Sequence, residues 1–178
     1  MNRLFLGMLL VFLDIPLTVG SATVELLPDF AGYLLMMKGL QKLAMDSSVF
    51  QRGETVALVM AVIHGIHWLM DFFAGSIQAE LYAWLVGLAA TVLDLVLTYW
   101  VIKGMADLER RNHWVLQAGK LRSMWLIQMA LTILCALLNW LPLVGTVCVI
   151  ASFVVAACFL VAMNDTRKRY YQNKNGSL

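Results

Sequence analysis

Residues 143–163 run for a full membrane thickness without one charged side chain, and the chain contains several runs like it. A helix needs about 20 apolar residues to cross the hydrocarbon core of a bilayer. Backbone amides and carbonyls find no water there, so helices and closed barrels are the only spanning structures. The apolar runs are continuous and lack the alternation of barrel strands, which selects helices. Composition agrees: 61% of residues are hydrophobic, 13% are charged, and the mean hydropathy is +0.78. Soluble domains have about 45–50% apolar and about 25% charged residues. Too few polar side chains remain to cover a water-facing core.

The pattern predicts an all-α, polytopic transmembrane helical bundle of six spans, at residues 4–19, 27–44, 55–74, 81–102, 121–141 and 143–163, arranged as three helical hairpins. Residues 164–178 form a basic and polar cytoplasmic tail with a disordered end. Pro28 suits the first turn of the second helix, where its missing N–H costs nothing. Pro142 is read as part of a tight turn between the last two spans. Arg3, the first apolar run and Gly20-Ser21-Ala22 mimic a signal peptide, but Asp14 and Pro16 interrupt that run, so the first span is expected to be retained.

Charge sets the orientation. The 13 lysines and arginines are Arg3; Lys38, Lys42 and Arg52; Lys103, Arg110, Arg111, Lys120 and Arg122; and Arg167, Lys168, Arg169 and Lys174. They cluster at alternate connections and at both ends. Residues 20–26, residues 75–80 and the Pro142 turn have none. The positive-inside rule then puts both termini in the cytoplasm. Residues 103–120 read as a charged helical extension near the headgroups. Tyr82, Trp84 and Trp140 fall where an outer aromatic belt would lie, and Tyr99, Trp100 and Trp125 where an inner one would. A net charge of +2 gives no basis for a nucleic-acid partner. The partners implied are the lipid bilayer and a membrane protein, either another chain or a second copy of this one.

Ionisable groups at bilayer depth are costly and must face protein or water. Asp14, Asp71, Asp94, His64 and His67 are the candidates. His64, His67 and Asp71 share one side of the third helix, with His64 and Asp71 only about 20° apart around the axis. Beside them runs a small-residue stripe, Ala57, Ala61 and Gly65, which suits close helix packing. Val59, Val62, Ile66, Met70 and Phe73 occupy the opposite, lipid-like side. Asp94 is placed to meet His64 at similar depth. Three chemistries suit the cluster. One is polar packing between helices. The second is an ion or proton site, with His64, His67 and Asp71 as candidate metal ligands. The third is a small-molecule or catalytic site of an intramembrane enzyme built on the same residues. No organic cofactor is expected. His64-x-x-His67 lacks the glutamate of a zinc protease motif, and no nucleophile triad or phosphate loop stands out. Cys135, Cys148 and Cys158 read as small packing residues inside apolar runs.

Two segments echo one another: Met37-Lys38-Gly39-Leu40-Gln41-Lys42-Leu43 and Ile102-Lys103-Gly104-Met105-Ala106-Asp107-Leu108. A tandem duplication of hairpins is one reading. Glycine after lysine as a helix stop is the simpler one.

The stretch Leu27-Pro28-Asp29-Phe30-Ala31-Gly32-Tyr33, with Gly39-Leu40 and Phe12-Leu13-Asp14-Ile15, resembles an uncharacterised family of small multi-pass membrane proteins of Gram-positive bacteria with a PDFxGY-like second helix. That resemblance covers the first quarter of the chain. It implies a bacterial plasma membrane and supplies no activity. In physical terms, Asp29 meets the positive end of a helix dipole, Gly32 permits close contact with a neighbouring helix, and Tyr33 is within reach of Asp14 across the first hairpin.

The expected topology is checked by tags. An epitope in the 75–80 connection is stained on intact cells, whereas one after Leu178 is stained only after permeabilisation. Staining of both on intact cells overturns the orientation.

Overall fold

A computed structural model describes the backbone of residues 1–13, 16–19, 22–25, 29–74, 80–138 and 142–176. Side chains are described for the same residues except 16–19, 22–25, 71–74, 80–85, 138 and 142–145. Among the described residues six helices carry the fold: α1 (Asn2–Leu13), α2 (Asp29–Ala44), α3 (Phe50–Ala74), α4 (Glu80–Asn112), α5 (Ala118–Leu138) and α6 (Pro142–Gly176). A two-stranded antiparallel ribbon, β1 (Pro16–Val19) and β2 (Ala22–Glu25), stands between α1 and α2. The chain divides into two units, Met1–Val101 and Ile102–Leu178.

Among the described residues four helices, α3 to α6, are long and apolar enough to cross a membrane. The first predicted span is corrected at its end. Helix α1 stops at Leu13, and residues 16–19 are a strand. Pro16 gives the reason: it lacks an N–H, its ring clashes with the carbonyl four residues back, and it biases the preceding residue away from helix. In the ribbon Val19 pairs with Ala22. Helix α1 has 12 residues, about 18 Å, against a hydrocarbon core of about 30 Å. Helix α2 has 16, about 24 Å.

The tail is also corrected. Residues 164–176 are not a disordered end but the continuation of α6, which has 35 residues and a length of about 52 Å. Helix α4, with 33 residues, likewise continues past residue 102 to Asn112. Pro142 is the first residue of α6, where proline is best tolerated, and Asn139, Trp140 and Leu141 lie outside the described residues.

Within the first unit, α1 packs on α2 and α2 on α3. Glycines bring α1 and α2 backbone to backbone. A Cβ on Gly7 would stand 2.5 Å from the Gly32 carbonyl oxygen, and one on Gly32 would stand 2.6 Å from Val11 Cγ2. A Cβ on Gly39 would stand 2.5 Å from the Leu4 amide nitrogen. Gly39 is thus a packing residue inside α2, not a helix stop, and Gly104 likewise lies inside α4. Helix α3 turns Ala57, Met60 and Ala61 inward and exposes Leu58, Val59, Val62, Ile66, Leu69 and Met70. At the Lys/Arg-bearing end of α3, Trp100 of α4 meets Gly53 and takes the Arg52 guanidinium over its ring at 4.8 Å.

The second unit is built on the α5–α6 pair. Apart from Cys148, its buried residues gather at the basic end, among them Met105, Leu108, Leu116, Leu121, Met163 and Tyr170. Thr166 Oγ1 donates to the carbonyls of Leu116 and Ala162 at 2.9 and 3.0 Å. Glu109 accepts the first amide of α5, from Ala118, at 3.2 Å. Buried Asp107 pairs with Arg110 and Arg111 at 3.1 and 2.7 Å. The middle of the hairpin has the opposite character, with Ile133, Leu137, Val149, Phe153 and Val161 all more than half exposed. Large apolar side chains outside and a core at the polar end is the inversion that lipid, not water, accommodates.

Gly39→Ala therefore forces α1 from α2 and costs about 1–3 kcal/mol, the range for overpacking a tight core. Gly87→Ala, at a site with nothing within 4 Å, is neutral or stabilising by about 0.5–1 kcal/mol. Thermal unfolding of both variants in detergent measures the difference.

A polar seam between three helices

Helix α2 presents Asp29 and Tyr33 four residues apart, on one face. That face meets α3. His64 Nδ1 stands 3.6 Å from Asp29 Oδ2. The Tyr33 and His64 rings lie 4.9 Å apart between centroids, tilted by 37°. From α4, Asp94 Oδ1 accepts the Tyr33 hydroxyl at 2.7 Å. One buried tyrosine thus touches a histidine of α3 with its ring and a carboxylate of α4 with its hydroxyl. Phe30 and Trp68 close the seam on the side of the next turn, edge to face at 5.8 Å. A Cβ on Gly65 would reach Phe30 at ordinary contact distance, 3.8 Å, so this glycine makes room for the ring without backbone contact.

The structure brings together part of the predicted cluster. His64 and Asp94 are in it, joined through Tyr33 instead of directly. His67 is half-buried on α3. Asp71 is helical, but its side chain lies outside the described residues, as does Asp14 altogether. The anticipated Tyr33 partner was Asp14; the partner found is Asp94. Of the α3 stripe residues, Ala57 and Ala61 are buried; Gly32, on α2, packs against α1. Two participants were assigned other work by sequence reasoning: Asp29 to the helix dipole and Tyr33 to the first hairpin. Their i, i+4 spacing on the Lys-bearing second helix was the signal that marked them as one face.

The polar groups are carboxylate, imidazole and phenol, a set suited to hydrogen bonding and proton exchange. His64 with Asp29 is a two-donor arrangement. Among the described residues no group of three or more His, Cys, Asp or Glu converges as a metal site.

The chain matches no protein-family model, no curated protein and no solved structure with which it was compared.

Hydrogen bonds between membrane helices are worth about 0.6–2 kcal/mol. Tyr33→Phe is expected to lose that much, because it strips Asp94 of its donor. Asp94→Asn is expected to lose less, since the amide oxygen still accepts. In the double variant the two losses do not add. Additive losses in detergent unfolding would show that the 2.7 Å contact carries no coupling.

Proposed function

We propose that this chain is a multi-pass protein of the bacterial plasma membrane, with both termini cytoplasmic, whose role is structural, regulatory or partner-binding. The observation that carries this reading is the seam itself. Its titratable groups engage one another across α2, α3 and α4, which is how a bundle fixes the register of its helices.

The orientation does not depend on whether α1 and α2 cross completely. They form an out-and-back pair, with Arg3 at one end and Lys38 and Lys42 at the other. Six crossings or four with a shallow first pair leave the termini on the same side. The β1–β2 ribbon belongs in this reading at the headgroup level, because open strand edges are not tolerated in hydrocarbon. The broad apolar faces of α5 and α6 meet lipid or the helices of a partner, either another membrane protein or a second copy.

A second reading has its own support. Asp29, His64, Tyr33 and Asp94 lie side by side at bilayer depth, joined by a 3.6 Å carboxylate–imidazole approach, a ring contact and one hydrogen bond, and such ionisable groups are the material of an ion or proton pathway in a small transporter or transporter subunit. An intramembrane enzyme is the third, least supported option.

Reconstitution separates the first two. In liposomes carrying a trapped pH dye and a potassium diffusion potential, the structural reading expects an internal pH that tracks protein-free vesicles. His64→Asn then changes only thermal stability. Proton flux abolished by Asp94→Asn would establish the transport reading in its place, and a stoichiometric metal in the purified protein, lost in His64→Asn, would turn the seam into an ion site.

A further inference from the structure

Charge is divided unequally between the two units. Residues 1–101 carry four lysines and arginines against eight aspartates and glutamates, and residues 102–178 carry nine against three. The three acids of the second unit are Asp107, Glu109 and Asp165. Two of them are committed. Buried Asp107 takes Arg110 on one oxygen at 3.1 Å and Arg111 on the other at 2.7 Å. Glu109 accepts the Ala118 amide. One carboxylate thus holds two guanidiniums side by side and leaves one positive charge uncompensated. Their side chains stay 81% and 54% exposed. A guanidinium has five N–H donors, so most of them remain for an acceptor from outside.

Helix α5 adds a second pair of cations in an unfavourable place. Lys120 and Arg122 are exposed, flank buried Leu121 and stand at the start of a helix with no acid in its first turn. Among the described residues neither is paired with a carboxylate. Cations at a helix N-terminus oppose its dipole, which favours negative charge there. The counter-charge has to come from outside the chain.

Depth identifies its source. Residues 142–164 of α6 contain no charged side chain and run for about 34 Å, against a hydrocarbon core of about 30 Å. Thr166 follows and bonds to Leu116 of the 113–117 connection. Trp114 of the same connection packs edge to face on Tyr170 at 5.7 Å. With the core fitted to the charge-free run, this connection lies among the headgroups, where lipid phosphates are. The two cation pairs flank it in sequence, and Val115 between them is 65% exposed, which suits an amphiphile better than a soluble anion.

We propose that the basic end of the second unit is a docking surface for anionic phospholipid, whose phosphates are taken by Arg110, Arg111, Lys120 and Arg122. Bound lipid is the counter-charge that the start of α5 lacks. The inference rests on membrane residence, not on the orientation of the chain or on the role of the α2–α3–α4 seam.

The test uses the full chain in an uncharged detergent, with phosphatidylglycerol and phosphatidylcholine offered in equal amounts. Native mass spectrometry counts the lipids retained. Phosphatidylglycerol is expected in excess by at least about fivefold, the effect of one engaged cation. Thermal unfolding with each lipid alone then separates lipid binding from folding. The double variant Lys120→Gln, Arg122→Gln melts no lower than the parent in phosphatidylcholine, because two cations leave the positive end of α5. In phosphatidylglycerol it melts below the parent. Arg110→Gln, which leaves Arg111 on Asp107, also lowers the phosphatidylglycerol excess. Equal retention of the two lipids overturns the proposal. So does an excess lost as fully in Lys38→Gln, Lys42→Gln, which would be general attraction to any cation of the chain. Stabilisation reproduced without lipid by inorganic phosphate or a DNA duplex overturns it as well, in favour of a soluble anion or nucleic acid. A chain that stays soluble and monodisperse without detergent fails the membrane reading itself, and this inference with it.

Discussion

A peptide group placed in hydrocarbon has no water to fall back on, and leaving it unbonded costs several kcal/mol. That constraint accounts for the long uninterrupted helices from α3 to α6 and for the irregular backbone lying elsewhere. The non-helical residues 113–117 fall at the charged end of α4, where Glu109 caps the next helix and Thr166 donates to the Leu116 carbonyl. His113 and Gln117 adopt positive φ there, 56° and 62°, a conformation that few side chains accept except in such connections. Burial then follows an order opposite to that of a soluble domain. Side chains are packed at the polar end of the second unit and left outward along the apolar middle.

Hydrophobic collapse provides little attraction between helices once both are in lipid, so packing and hydrogen bonds must hold them. Helix α2 uses both. One face carries Gly32 and Gly39, which let α1 approach to backbone contact and gain close dispersion. The other carries Asp29 and Tyr33, which reach α3 and α4. A helix of about 24 Å, too short to be an obvious span, thereby becomes the element to which three others are fitted.

Much of this was legible in the residues. Apolar length located all six helices, and the lipid-like face of α3 assigned to Val59, Val62, Ile66 and Met70 is the exposed one. Other features were hidden for identifiable reasons. Apolar content alone extended the first helix through Pro16, because hydropathy ignores a missing N–H. Polarity alone made residues 164–176 a loose tail, although Asn164 to Lys174 contains no proline and its only nearby glycine comes at Gly176, the end of α6. Gly39 looked like a terminator because glycine serves helix ends and helix contacts alike, and only the neighbour decides which. Partner choice was least legible. Tyr33 had acids available in sequence before and after it, and the tertiary arrangement selected Asp94, 61 residues away.

The seam also bears on why a membrane bundle keeps ionisable groups at all. A buried pair returns little net stability once the desolvation of both partners is counted, and apolar replacements of similar shape often do as well. What such a pair does supply is discrimination. A slip of α1 and α2 together by one turn against α3 and α4 would keep the glycine contacts between them and leave the small stripe and the apolar faces nearly as well packed, since lipid and side chains are alike to them. It would, however, separate Tyr33 from Asp94 and Asp29 from His64, exposing a carboxylate and an imidazole to hydrocarbon at a cost of several kcal/mol. The penalty for the wrong register, more than the reward for the right one, is what fastens α2, α3 and α4 in one arrangement.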